Sequence, residues 1–245
     1  MDRDTQNKIK AVFLRAEWRK LVMINYELDP AILRPLLPHR TELDLFEGRC
    51  LVSMVGFMFL HTRLKGIPVP FHQQFEEVNL RFYVRYRDKD IWKRGAVFIR
   101  EFVPKPLITL VARTLYGEPY STRKMKHSRE TGSDFLRVEY AWKTGRWNSM
   151  SIRSENRLCE VLPGSETEFI SEHYWGYTKR GAEASAEYGV EHPRWQVYPT
   201  LDFEADIDFV RNYGAEYAAL NQAKPSSAFL LEGSSVLVRD GRVLA

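Results

Sequence analysis

The stretch "LYGEPYSTRKMKH", Leu115 to His127, gathers two lysines, an arginine, two tyrosines and a histidine into thirteen residues. A lysine can attack a carbonyl and form an imine when burial or a neighbouring cation keeps its amine neutral. An ordinary strand lysine is instead a solvated charge. On a strand, Lys124 and Lys126 share one face, and Arg123, Met125 and His127 share the other. A second chemically suggestive run is "FEEVNLRFYVRYR". Its alternation puts Glu77, Asn79, Arg81, Tyr83 and Arg85 on one face and Val78, Leu80, Phe82 and Val84 on the other. The polar face either lines a ligand cavity, with Glu77 as acid, base or anchor, or is the wet side of an antiparallel sheet. Arg19 either clamps a carboxylate with its forked guanidinium or serves a structural ion pair. "HYWGY" brings together His173, Tyr174, Trp175 and Tyr177, which stack on a flat ligand or form core.

The familiar catalytic motifs are absent. No GxGxxG or Walker A pattern follows a strand, and Gly117-Glu118-Pro119 matches no phosphate cradle. The six histidines are scattered, so neither a metal nor a cofactor is expected. There is no GxSxG elbow. The two cysteines, Cys50 and Cys159, stand far apart and outside any CxxC, which fits a reducing compartment.

These residues need a scaffold to position them. The chain of 245 residues is 44% hydrophobic and 28% charged, ordinary for a globular protein able to bury a core. Its net charge of +4 is spread out with no block of like charges, which argues against a nucleic-acid partner. "MDRDTQNKIK" has no apolar signal region, and "CLVSMVGFMFL" is too short to span a bilayer. A cytoplasmic protein without a membrane partner is therefore expected, with homo-oligomerisation left open.

"EWRKLVMINYEL" reads as a strand, followed by a helix with Asp29 as N-cap and Pro30 in its first position, closed by Pro38. "TELDLFEGRCLVSMVGFMFLHTRL" reads as two strands around Glu47-Gly48, and "FEEVNLRFYVRYR" and "AVFIREFV" as a hairpin. "PKPLITLVARTLYG" has helical spacing and ends at Gly117; the lysine-rich stretch is the strand after it. "FLRVEYAWKTGRWNSMSIR" is a hairpin around Thr144-Gly145. "EFISEHYWGYTKR" is expected to be a strand, "EYGVEHPRWQVYPTLDFEAD" one or two more, and "DIDFVRNYGAEYAALN" helical. "SSAFLLEGSSVLVRDGRVLA" closes the chain as a strand pair around Asp240-Gly241. With no linker or repeat, the expectation is one domain over 1–245, mainly antiparallel β with a few helices.

The segments "AEWRKLVMINYELDPAILRPLLP", "VPFHQQFEEVNLRFYV", "RTLYGEPYSTRKM", "SEHYWGYT" and "SAFLLEGS" resemble, in order and spacing, the YqjF-like family within the acetoacetate decarboxylase-like superfamily. The resemblance covers nearly the whole chain and implies a curved antiparallel sheet closing into a cone-like barrel around a central cavity. It also implies site positions. The decarboxylases use a lysine that forms a Schiff base with a β-keto acid, beside a second lysine, an arginine and glutamates. Carried over, the arginine falls on Arg19 and one glutamate on Glu77; the second glutamate would fall near Ser53, where no carboxylate stands. Arg113 and Pro119 match the lysine motif, but Tyr120 and Ser121 occupy the places of the two lysines. A tyrosine forms no imine, so the Schiff-base route is not expected unless a register shift brings in Lys124.

The functional expectation is a barrel that binds a small organic molecule, carboxylated or aromatic, through Arg19, Asn79, Arg81, Ser121, Arg123, Met125, His173 and Trp175. The alternative is a lyase or hydrolase acting on a keto acid, with Glu77 and either Tyr120 or Lys124 as its catalytic pair.

Overall fold

The computed structural model of the protein describes residues 11–245. The polar segment 1–10, read above as carrying no signal sequence, lies outside the described residues. Along the chain come β1 (Val12–Glu27), β2 (Thr41–Leu43), β3 (Leu51–Leu64), β4 (Ile67–Pro68), β5 (Phe75–Asp88) and β6 (Ile91–Val103). They are followed by β7 (Tyr120–Thr122), β8 (Met125–Thr131), β9 (Phe135–Thr144), β10 (Arg146–Glu155), β11 (Cys159–Glu160) and β12 (Trp175–Lys179). The last are β13 (Ser185–Glu191), β14 (Gln196–Tyr198), β15 (Thr200–Asp206), β16 (Ser227–Arg239) and β17 (Arg242–Leu244). Four short helices interrupt them: α1 (Pro30–Leu33), α2 (Pro106–Val111), α3 (Glu166–Ser171) and α4 (Phe209–Tyr213).

The strands form a thirteen-stranded and a four-stranded sheet, and their pairing is antiparallel except where β6 meets β7 and β12. β16 pairs with both β1 and β13, so the path β16–β1–β3–β5–β6–β12–β13 returns to β16. The small sheet, β15–β10–β9–β8, packs across one face of the large one. Val22, Ile24, Leu80 and Phe82 meet Trp142 and Ile152 there, all fully buried. The Trp142 indole donates to Asn212 Oδ1 of α4 at 2.9 Å, so the core tryptophan leaves no orphan donor. With both faces covered, β1 is buried continuously from Lys20 to Tyr26, which is why "LVMI" shows no alternation.

Local signals behave as their chemistry dictates, with five corrections, the first being that "EYGVEHPRWQVYPTLDFEAD" contributes to three strands, β13, β14 and β15, rather than one or two. Asp29 Oδ1 accepts from the Ala31 amide at 2.8 Å, and Gly117 ends the helical segment with φ 68. The stretch around Glu47-Gly48 does turn, with φ 50 and 80, but β2 pairs with β5 rather than with β3. "EFISEHYWGYTKR" is not one strand: Ser165 caps α3 by accepting from the Glu168 amide, and the strand begins only at Trp175. β17 follows the Asp240-Gly241 turn but pairs with β13, which continues the sheet rather than folding back on β16. The lysine-rich stretch breaks at Arg123-Lys124 into β7, in the large sheet, and β8, in the small one.

Candidate functional site

Alternation along β5 decides which side chains meet. Even-numbered Val78, Leu80, Phe82 and Val84 enter the core beneath the small sheet. Odd-numbered Glu77, Asn79 and Arg81 face the other way, into a pocket of about 150 Å3. Every strand of the closed path gives it a wall residue, among them Trp18, Phe57, Glu77, Glu101, Trp175 and Tyr188, and α2 covers it with Ile108 and Val111. The walls are mostly apolar and aromatic, with a few converging polar groups, as small-molecule sites usually are.

The polar groups centre on three carboxyls. Glu77, Glu101 and Glu118 are 2%, 2% and 6% exposed, far below what a glutamate tolerates without compensation. Tyr120 Oη donates to Glu77 Oε2 at 2.7 Å, and Asn79 Nδ2 to Glu77 Oε1 at 3.0 Å. Thr178 Oγ1 and Tyr188 Oη donate to Glu118 Oε1 at 2.6 and 2.9 Å. Burial pushes Glu77 up to about 7, against the pull of those two donors and of Arg81. Burial likewise raises Glu118 to about 7, opposed by Thr178 and Tyr188. Glu101 is raised well above the usual carboxylate range by burial and then by the charges of Glu77 and Glu118. Burial, with these carboxyls beside them, raises the Tyr120 and Tyr188 phenols too, so both stay neutral donors. The cluster thus stores protons near neutral pH, as acid–base chemistry or ligand-linked proton exchange requires. No group of these residues has the arrangement to hold a metal ion among the described residues.

Two glycines are needed to close this site. Gly95 pairs with Trp175, and a Cβ there would lie 2.6 Å from the Trp175 carbonyl oxygen. At Gly176 a Cβ would meet the Tyr188 ring at 2.1 Å, so only glycine lets that ring lie across β12 and reach Glu118.

Of the residues singled out from sequence, Glu77, Asn79, Arg81, Tyr120, His173 and Trp175 line the pocket. His173 is buried and held neutral, its pKa brought down to about 4 by burial although Asp44 sits 3.3 Å from Nε2. Its ring stacks near Tyr83 at 4.5 Å, so a structural role is already filled. Ser121, Arg123 and Met125 do not line the pocket: Arg123 lies over Phe102, and Met125 packs on the inter-sheet core. Arg19 points away, because Trp18 faces in and the next residue on a strand faces out. It binds Glu17 at 2.7 Å and lies 3.6 Å from Glu232. Lys124 is exposed, and Lys126 is exposed over the Trp147 ring, so neither amine reaches the pocket.

Glu101, Glu118 and Tyr188 also line the pocket, although no sequence pattern marks them. Glu101 and Phe98 both line the pocket although they stand three positions apart, which an unbroken strand forbids. The pairing steps from Leu80↔Arg100 to Arg81↔Phe98, and this bulge at Ile99 turns Glu101 inward. A second bulge acts on β1. Lys20 has φ 55, and there the register with β3 shifts between Arg19 and Val22. Trp18 and Leu21 therefore both face in, and Lys20 turns out to Tyr198 and Glu232. Burial lowers the Lys20 pKa, but its amine is tied up in an ion pair with Glu232. Among the described residues that line the pocket, none is a lysine.

Comparison with known proteins follows the same lines. Residues 15–234 match the DUF2071 family, described as "Uncharacterized conserved protein". The uncharacterized protein YqjF of Bacillus subtilis (strain 168) is 34% identical over 117 residues, 47% of this chain and 47% of that protein. The match thus spans about half the length of that relative. Among solved structures, acetoacetate decarboxylase from Legionella pneumophila aligns with a TM-score of 0.64 at 16% identity, over 100% of this chain and 92% of that one. An acetoacetate decarboxylase-like enzyme from Sphingomonas wittichii RW1 aligns with a TM-score of 0.65 at 13% identity, over 95% and 93%. The enduracididine biosynthesis enzyme MppR, complexed with pyruvate, aligns with a TM-score of 0.64 at 14% identity, over 98% and 93%. At these identities the likeness concerns the fold, which is acetoacetate decarboxylase-like.

Proposed function

The chain belongs to the DUF2071 family and has an acetoacetate decarboxylase-like fold; from that premise we propose that it is a barrel that binds a small organic molecule in its central pocket, without Schiff-base chemistry. One observation carries the reading: an aromatic-walled pocket of about 150 Å3 on which three buried glutamates and two tyrosines converge. An apolar cavity near that size takes a benzene-sized body. The polar cluster would fix the orientation of what enters, and the aromatic walls would supply most of the affinity. The wall residues Phe57, Phe59, Phe75 and Trp175 support an aromatic or apolar body in the ligand. The carboxylate clamp expected of Arg19 finds no support, since that guanidinium is spent on Glu17. Amine catalysis lacks an amine: Tyr120 stands where a lysine would act, and Lys124 is on the surface.

The test is a ligand screen read by thermal shift, using single-ring aromatics that differ in head group. A hit should be lost in Ala112→Trp, which would fill the pocket from its helical cover. Hits that survive that substitution, or an absence of hits throughout, would sink the proposal.

A second reading is favoured by the pairing of Tyr120 with Glu77, whose carboxyl titrates at about 7. Such a pair suits general acid–base catalysis on a bound carbonyl compound. It predicts turnover lost in Glu77→Gln with binding retained; turnover unchanged in that variant would remove it.

A further inference from the structure

The buried polar atoms that lack a partner are not spread evenly. Among the described residues they are Trp18 Nε1, Thr62 Oγ1, Asn79 Oδ1, Glu101 Oε2 and Thr144 Oγ1. Trp18, Thr62, Asn79 and Glu101 all line the pocket. A buried polar group left unsatisfied is destabilising, so such a concentration at one site marks where a ligand's polar atoms belong.

Their chemistry has a direction. The donors around the carboxyls are already committed: Tyr120 and Asn79 to Glu77, Thr178 and Tyr188 to Glu118. Of the four open atoms Trp18 Nε1 is a donor and the Thr62 hydroxyl can donate or accept; beside the carboxyls the open atoms are Asn79 Oδ1, an acceptor, and Glu101 Oε2, which accepts once Glu101 gives up its proton, on residues 1% and 2% exposed. Asn79 and Glu101 are opposite one another in the β5–β6 pairing, so the two side chains leave the sheet side by side. Burial and their mutual charge hold back ionisation of the three carboxyls there, and Arg81 is the basic residue that lines the same pocket. A ligand with several N–H donors and a positive charge would satisfy both oxygens and stabilise the ionised form of Glu101. A carboxylate would do neither. Aromatic walls favour a cation in addition, through the negative faces of their rings.

Resting on the binding reading above, we propose that the pocket selects a small organic cation, a primary ammonium or amidinium on an apolar or aromatic body, whose N–H groups are taken by Glu101 and Asn79.

The experiment is calorimetric titration of the full chain with four probes of similar size: benzylammonium, benzamidinium, benzyl alcohol and benzoate. The cations should bind roughly tenfold or more tightly than the alcohol, with benzoate weakest. Glu101→Gln should remove most of that preference, weakening the cations far more than benzyl alcohol; its melting temperature, measured alongside, reports whether it has folded. Asn79→Leu serves as the second variant and should weaken the cations in the same way. Benzoate or the alcohol binding as tightly as the cations would overturn the inference while leaving the binding reading intact. Undiminished cation preference in both variants would do the same. If none of the four probes binds, the binding reading fails and this inference fails with it.

Discussion

At the residue scale, several side chains of the pocket sit in surroundings that contradict their ordinary chemistry. Glu77 is buried, and its carboxyl is raised from 4.5 to about 7. An acid whose folded pKa is raised binds its proton more tightly in the native state. Its contribution to stability is therefore fully present below the unfolded pKa and is lost as pH rises through about 7. Glutamine at that position cannot ionise, so the difference in melting temperature between Glu77→Gln and the native chain should grow in the variant's favour from pH 5 to pH 8. A difference that stays flat across this window would mean that the carboxyl titrates as if in water. Tyr120→Phe removes the donor that pulls Glu77 down, so the Glu77 titration, followed by carboxyl carbon NMR, should move up. Loss of that hydrogen bond should also cost about 1–2 kcal/mol in urea unfolding. Lys124→Ala should change stability by less than about 0.5 kcal/mol, because an exposed side chain without such constraints contributes little. Part of the pocket lining was legible in the sequence. The alternation of β5 puts Glu77, Asn79 and Arg81 on one face, and these three line the pocket together with Tyr120, which the family's lysine motif had singled out. Arg19 fits the family's arginine by spacing, but its neighbour Trp18 faces the pocket, which sends Arg19 outward to Glu17.

At the scale of elements, two bulges and two glycines compose the site. An extra residue at Ile99 sends Glu101 inward, and the positive φ of Lys20 sends that lysine out. Neither shift is visible in a pattern of polar and apolar letters, because a bulge changes the phase of a strand without changing its composition. Strand partners were equally hidden. β2 and β17 pair with β5 and β13, and a turn signal speaks only to the residues it joins. Helix α3 was masked by the aromatic run that follows it, although Ser165 and Glu168 form a capping signal at its start. At Gly176 a Cβ would stand 2.1 Å from the Tyr188 ring. Gly176→Ala should therefore cost about 1–3 kcal/mol by overpacking and withdraw the Tyr188 hydroxyl from Glu118. Urea titration measures the first effect. The second should appear as an altered Glu118 titration, because Tyr188 helps to hold that carboxyl down. A variant as stable as the native chain would show that Tyr188 has room to move aside.

At the scale of the whole molecule, the division of labour is between two faces of one sheet. The face under the small sheet is a packed core, where Phe82→Ala should cost about 3–5 kcal/mol. The other face is a pocket that keeps unsatisfied polar atoms, a cost a structural core would have shed. The fold class could be read from the many short strands, and a closing sheet was expected from the family resemblance; that β16 meets β13 could not be read, since this pairing joins residues far apart in the chain through two pairs. No helix among the described residues is long and apolar enough to cross a membrane. The central claim is that the glutamates form one ligand-responsive cluster, and it is tested most directly by carboxyl carbon NMR of Glu77, Glu101 and Glu118, titrated with pH in the absence and presence of benzylammonium. Glu77 and Glu118 are predicted to titrate near 7 in the free protein and Glu101 above its ordinary range, with the Glu101 signal moving when the cation is added. Ordinary glutamate titrations for all three, with no response to the cation, would contradict the account.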